Sequence, residues 1–168
     1  MKPNETFQGA KAAFTYHNFY LTTVGQEFGI AKAIALESLM CNNIGAMQGK
    51  FIRDKSGIKA FDAKIAYRIV KNVPEGYGII GEVLEESPEK VRFKCRNCSI
   101  YEGAQNAGLD EKTREAICRK GSIRYMDAMV KQLHPNLSYR LMKYRTSADD
   151  FCEEEIVMKQ SNGTCFGI

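Results

Sequence analysis

The sequence lacks the long apolar segments that membrane insertion requires. It has no uninterrupted apolar run of about 18 residues, so we expect no transmembrane helix and no membrane partner. The first residues, MKPNETFQGAKAAF, lack the apolar stretch of a secretory signal. We therefore predict a cytoplasmic protein whose six cysteines are reduced thiols rather than three disulfides.

Clusters of charge of one sign are also absent. The net charge is +4, and the Lys and Arg residues are scattered among Glu and Asp. A nucleic-acid-binding chain usually concentrates its basic residues, so this distribution argues against a nucleic-acid partner. The 168 residues are 26% charged and 44% hydrophobic, which is the balance of a globular domain that can bury a core.

Histidine is scarce, which limits the candidates for a catalytic base to His17 and His134. His17 lies on the apolar stripe of the first predicted helix, where a core histidine with satisfied hydrogen bonds is expected. His134 precedes Pro135 at a predicted helix end. We predict a catalytic role for neither.

Apolar residues at three- and four-residue steps predict helices through the first 75 residues. The first helix follows the stripe from Ala10 to Val24, and Gly25 and Gly29 interrupt it. A second, Ala-rich helix covers about 29–47 and offers a surface for a homo-oligomer. A third follows a turn at 54–57 and runs to Pro74.

From Tyr77 the apolar period changes to two, which predicts strands at 77–84, 91–95, 137–144 and 151–159. Between the strand pairs lie a short helix, 99–107, and a long one that Asp110 caps and Pro135 ends. Short connections favour two antiparallel hairpins joined by this two-helix crossover into one sheet.

The sequence thus predicts an α+β fold in which helices pack on one sheet. We expect a single domain with an N-terminal helical segment at 1–75, an α+β part at 76–160 and a tail at 161–168.

The segment VRFKCRNCSIYEGAQNAG, residues 91–108, places Cys95 and Cys98 two residues apart. Structural zinc commonly uses two such pairs, and here one close pair exists, so zinc would need Cys118, Cys152 or His134 to converge on it. A haem attachment would need histidine where Ser99 stands. We predict no metal or cofactor, with zinc as the alternative.

Cys98 opens a predicted helix, where free N–H groups and the helix dipole favour a thiolate. Lys94 and Arg96 would add positive charge. The alternative is a small buried residue at a strand-to-helix junction, a common use of cysteine.

Alternation in the last strand places Glu154 on the same face as Cys152. A carboxyl group buried there would have a raised pKa and could act in proton transfer. This prediction depends on the strand register, since a slip of one residue would turn Glu154 to the other face.

The second half of the chain resembles the L-2-amino-thiazoline-4-carboxylic acid hydrolase family. Cys98 at a helix start, Cys118 about twenty residues later and the closing segment SADDFCEEEIV, which contains Cys152, carry the resemblance. The chain departs from the family pattern at Ser99 for Pro, Ala148 for Gly and Glu154 for an aromatic residue, and it has no Trp. The resemblance covers about 20–160 and is specific over 91–159.

The resemblance implies hydrolysis of a C–N bond in a cyclic amidine or thiazoline carboxylate. It extends to vinyl-reductase-associated and haem-NO-binding-like small-molecule-binding domains, and it implies a fold of helices around an antiparallel sheet. The resemblance supports the cysteine positions 98, 118 and 152 alone, and the chemical roles given next are inferred from residue type. Cys98 would be the nucleophile or acid–base group and Glu154 the proton carrier. Substrate-binding residues would be Arg96, Cys118, Tyr125, Arg140 and Cys152, with either arginine meeting the carboxylate.

A non-catalytic small-ligand-binding or sensor domain is the alternative function. If the protein is an enzyme, we expect a polar pocket in which solvent reaches Cys98 and a cationic side chain lies close by. If it is a binding domain, we expect a deeper apolar pocket that cysteines line and that has no paired acid and base. A third alternative assigns the cysteines to the core and the function to a protein partner.

Overall fold

The computed structural model describes residues 3–159 and has an α+β fold in which helices precede a four-stranded antiparallel sheet. The predicted fold class is therefore confirmed. The predicted tail at 161–168, with Cys165, lies outside the described residues. Within 3–159, no helix combines the length and the hydropathy needed to cross a membrane.

Along the chain, two groups of helices alternate with two pairs of strands. The helices are α1 (Pro3–Phe28), α2 (Ile30–Ser56), α3 (Ala63–Val70), α4 (Asn72–Glu75), α5 (Ser99–Asn106), α6 (Glu111–Ile117) and α7 (Ile123–Leu133). The strands are β1 (Gly81–Glu86), β2 (Lys90–Cys95), β3 (Leu137–Lys143) and β4 (Cys152–Met158).

Gly29 separates the two long N-terminal helices. Its φ of 88° lies in the left-handed region that glycine adopts without steric cost, and this reverses the chain between α1 and α2. Gly25, in contrast, stays within α1, so the predicted interruption there is wrong. The predicted turn at 54–57 is also misplaced, because α2 continues to Ser56 and ends at Gly57.

The segment before the sheet differs most from the prediction. The third helix is shorter than expected, because Asp62 starts α3 by accepting a hydrogen bond from the Ile65 N–H at 2.7 Å. The strand predicted from Tyr77 begins at Gly81, since Gly78 turns the chain with a φ of 72°. β1 is a mostly exposed strand at the edge of the sheet.

The sheet order is β1-β2-β4-β3, with every neighbouring pair antiparallel. The two hairpins and the helical crossover are therefore as predicted. Between β2 and β4, Cys95 lies opposite Cys152 and Phe93 opposite Glu154, so these residues share the face that the helices cover. The predicted register of the last strand is confirmed.

The long helix predicted from Asp110 to Pro135 is interrupted. Asp110 caps α6 as predicted, accepting from the Thr113 N–H at 2.9 Å. Residues Cys118–Ser122 then form one π-helical turn before α7 begins. Such turns widen a helix locally and frequently occur at functional sites.

Two glycines allow α2 to pack closely on α7. A Cβ at Gly45 would overlap the backbone of Tyr125, and a Cβ at Gly49 would lie 2.9 Å from Met129 Cα. Met129 of α7 packs in the main core with buried side chains from the sheet and α3, including Val91, Ile156 and Val70.

We expect Gly45→Ala to destabilise the protein. The added methyl meets backbone rather than a flexible side chain, so α2 must move away from α7, at a cost of about 1–3 kcal/mol in the free energy of unfolding. Gly9→Ala is the matched control: it lies in α1 with nothing near its Cβ, and should stabilise by about 0.5–1 kcal/mol. Urea unfolding measures both, and equal effects would contradict this packing.

Candidate functional site

A cavity of about 310 Å³ lies between the helical layer and the sheet. It forms because α1 and α2 diverge. The two helices meet where His17 contacts Glu37, but the earlier part of α1 packs on α5 at Gly103 and the later part of α2 packs on α7 at Gly45. Five of the predicted site residues line this cavity: Cys98, Cys118, Tyr125, Cys152 and Glu154.

The cysteines form much of the wall nearest the sheet. Cys98 is the N-cap of α5, as predicted, and its Sγ accepts from the Tyr101 N–H at 3.4 Å. Burial nevertheless raises the pKa of Cys98 to about 11, because loss of solvation outweighs that hydrogen bond and the Arg145 charge. The predicted lowered pKa is therefore wrong. Burial also raises the pKa values of Cys95 and Cys118.

Glu154 is a carboxyl group held in an apolar setting. Burial raises its pKa, although the hydrogen bond that the Tyr139 hydroxyl donates to Oε2 opposes the shift. The predicted direction of this shift is confirmed. Glu154 thus keeps its proton to higher pH than an exposed glutamate, and a protonated carboxyl can donate a hydrogen bond into the cavity.

The two arginines predicted to bind a carboxylate do not line the cavity. Arg96 is more than half exposed, lies 3.8 Å from Glu82 and stacks on the Phe151 ring. Arg140 lies on the outer face of β3, 3.6 Å from Glu155 of β4. Strand alternation explains Arg140, since its neighbour Tyr139 takes the inner face.

The buried cation beside the thiols is Arg145, which sequence reasoning missed. It is 0% exposed, and its Nη2 donates to the carbonyl of Cys95 at 2.7 Å and to that of Arg96. Its guanidinium also lies 5.2 Å from the Tyr101 ring centre. Arg145 follows β3 in a loop, where periodicity gives no signal. It fixes the junction between β2 and α5, and so positions Cys98.

A second polar group lies in the helical wall. His17 Nε2 and Glu37 Oε1 are 3.0 Å apart, and this hydrogen bond is the main cause that raises the pKa of His17. The predicted histidine thus has a hydrogen-bond partner, but it is partly exposed rather than a core residue. Its partner could not be read from the sequence, since the two residues lie on different helices.

The described cysteines do not assemble a metal site. Within residues 3–159, no three or more His, Cys, Asp or Glu side chains are grouped in a way that could hold a metal ion. Cys41, Cys95, Cys98, Cys118 and Cys152 are all free thiols.

Comparisons of the chain with protein-family models, with curated proteins and with solved structures give no match. The cavity itself is therefore the feature that indicates a function.

We expect Cys98 to react slowly with iodoacetamide in the native protein. A pKa of about 11 in place of 9.0 leaves roughly 100-fold less thiolate at about pH 8 than an ordinary cysteine has. The measurement is mass-spectrometric mapping of alkylation in a Cys165→Ser variant, native against urea-unfolded. Fast native labelling of Cys98 below about pH 7.5 would instead identify an activated nucleophile.

Proposed function

We propose that this protein binds a small, compact, largely aromatic ligand without net charge. The observation that carries the proposal is the cavity of about 310 Å³, whose lining consists mainly of aromatic and aliphatic side chains. This volume is at the lower end of the roughly 300–1,000 Å³ typical of ligand pockets, which favours a bicyclic ring system over a larger molecule.

Aromatic side chains form several parts of the wall. Phe14 and Tyr77 pack edge to face with ring centres 5.4 Å apart, and Tyr101 and Tyr144 form a second pair at 6.2 Å. Tyr125 adds a further ring. Flat aromatic ligands gain both apolar burial and ring contacts in such surroundings.

The charge state of the wall supports an uncharged ligand. Burial keeps the Cys98 and Cys118 thiols protonated and favours the protonated form of Glu154. The Arg145 guanidinium is engaged with backbone carbonyls, and Arg114 donates to the carbonyl of Leu109 at 3.0 Å. The Glu37 carboxylate is likewise paired, through its Oε1, with His17. A ligand with a net charge would therefore lose its hydration beside charged groups that already have partners.

Hydrolysis of a cyclic amidine is the second candidate function, and the observation that favours it is the Glu154 carboxyl group, which lines the cavity and whose pKa is raised by burial. Water would add to the amidine carbon, the C–N bond would break, and the Glu154 carboxyl would protonate the leaving nitrogen and take back a proton from the water. The raised pKa of Cys98 argues against a covalent route through that thiol.

We place the protein in a reducing compartment, and propose the cytoplasm. Five free cysteines, two of them buried, support this.

Calorimetric titration with indole, 2-naphthol and related bicyclic aromatics tests the proposal. Ser122→Phe puts a ring into the cavity and should weaken binding at least about tenfold, whereas Lys120→Phe, exposed in the same π-helical turn, should not. If the native protein binds none of these, or both variants bind equally, the proposal is wrong. Turnover of 2-aminothiazoline-4-carboxylate in the same samples, lost in Glu154→Gln, would establish the hydrolase instead.

A further inference from the structure

Two buried oxygen atoms in the helical wall have no hydrogen-bond donor. Asn18 is 1% exposed, and its Oδ1 has no partner. The orientation of this amide is fixed, because its Nδ2 donates to the Phe14 carbonyl at 2.7 Å. The Glu37 side chain is 8% exposed, and its Oε2 also has no partner. Both residues line the cavity.

Glu37 is held in place from two sides. His17 occupies its Oε1, and Gly121 of the π-helical turn approaches so closely that a Cβ there would lie 3.3 Å from Oε1 and 3.4 Å from Cδ. The carboxylate is therefore fixed before any ligand arrives, with one oxygen still to be satisfied. Preorganised groups of this kind bind without an added ordering cost.

Unpaired buried acceptors weaken a fold, so their presence in a cavity wall calls for a donor from outside the chain. A ligand hydroxyl carries one hydrogen and can satisfy one acceptor. A primary amino group carries two hydrogens in a fixed plane and can satisfy both.

We propose that the ligand is an aromatic or heteroaromatic amine whose amino group donates to Glu37 Oε2 and Asn18 Oδ1. This inference rests on the proposed function, since it names the class of ligand that the same cavity takes. The flat ring occupies the aromatic part of the cavity, and the helical wall accepts hydrogen bonds from the amino group.

The test uses a matched pair of probes, 2-aminobenzothiazole and 2-methylbenzothiazole, which differ in the amino group alone. We expect the amine to bind the native protein at least about tenfold more tightly in calorimetry. Asn18→Leu removes one acceptor. Glu37→Gln keeps one side-chain oxygen, and we expect this oxygen to stay hydrogen-bonded to His17, so that no acceptor is left for the ligand. Each variant should bring the two probes to similar affinities, whereas Asn106→Leu, exposed on α5, should leave the preference intact.

Thermal unfolding of the same variants separates recognition from a structural role. We expect Asn18→Leu to leave the melting temperature unchanged or raised, because it removes an unpaired buried acceptor. If both variants lower it and the amine preference persists, the inference is wrong. If the native protein binds the two probes equally, the inference falls while the proposed function stands; if it binds neither probe and no other bicyclic aromatic, both fall.

A separate observation concerns the outer face of α2. Six large apolar side chains, each between 37% and 65% exposed, follow one stripe at three- and four-residue steps: Leu36, Leu39, Met40, Ile44, Met47 and Phe51. Together they present on the order of 600 Å² of apolar surface, which is at the upper end of the largest patch that monomers usually expose and approaches the roughly 800 Å² per partner of a standard interface. Neighbouring α1 also exposes Tyr16, Phe19 and Tyr20.

The stripe is self-complementary about its midpoint, between Asn43 and Ile44. In an antiparallel α2–α2 pair, Leu36 would meet Phe51 and Met40 would meet Met47, as an isologous twofold contact requires. We infer that a second copy of the chain covers this face. Met40 also lines the cavity, so this contact would close part of the cavity wall.

Light scattering after size exclusion, across the micromolar range, tests the contact. We expect the native chain to be a dimer and the double variant Leu36→Glu, Met47→Glu to be a folded monomer, because the symmetric contact would bring these glutamates into one interface. Leu84→Glu, which changes an exposed leucine of β1 away from α2, is the control and should remain dimeric. A monomeric native chain, or a double variant that stays dimeric, would overturn the inference.

Discussion

The close packing of α2 on α7 determines where the other groups of the cavity lie. Gly45 and Gly49 bring the two helix backbones together, while Gly103 does the same for α5 against α1. The two N-terminal helices are thus held to different partners and diverge beyond the contact of His17 with Glu37. Their divergence creates the cavity. The glycines at the helix contacts thus shape the cavity, although they do not line it.

Burial dominates the chemistry of the site. It raises the pKa of Cys98, although the hydrogen bond at the helix N-terminus and the charge of Arg145 both lower it. It also raises the pKa of Glu154, although the hydrogen bond from Tyr139 lowers it. Arg145 is the largest fully buried side chain within residues 3–159, and its charge is met by backbone carbonyls. These effects together favour recognition of an uncharged molecule over attack by a thiolate.

Much of the fold could be predicted because its signals are local. The Asp110 cap, the alternation of β2 and β4, and the hairpin connections depend on neighbouring residues, and each is confirmed. The start of β1 and the π-helical turn were missed. Tyr77 continues the apolar alternation, yet Gly78 turns the chain; the turn at Cys118–Ser122 lies in a sequence that reads as continuous helix.

The sequence by itself determined the α+β order, the face on which Cys152 and Glu154 lie, and the helix that Cys98 begins, because period, caps and turns act over a few residues. The tertiary structure decided the partners: Glu37 lies 20 residues from His17, and Arg145 lies 50 residues from Cys95. It also decided the protonation of the thiols, since desolvation depends on every element packed around a group. Local sequence carries no record of that packing.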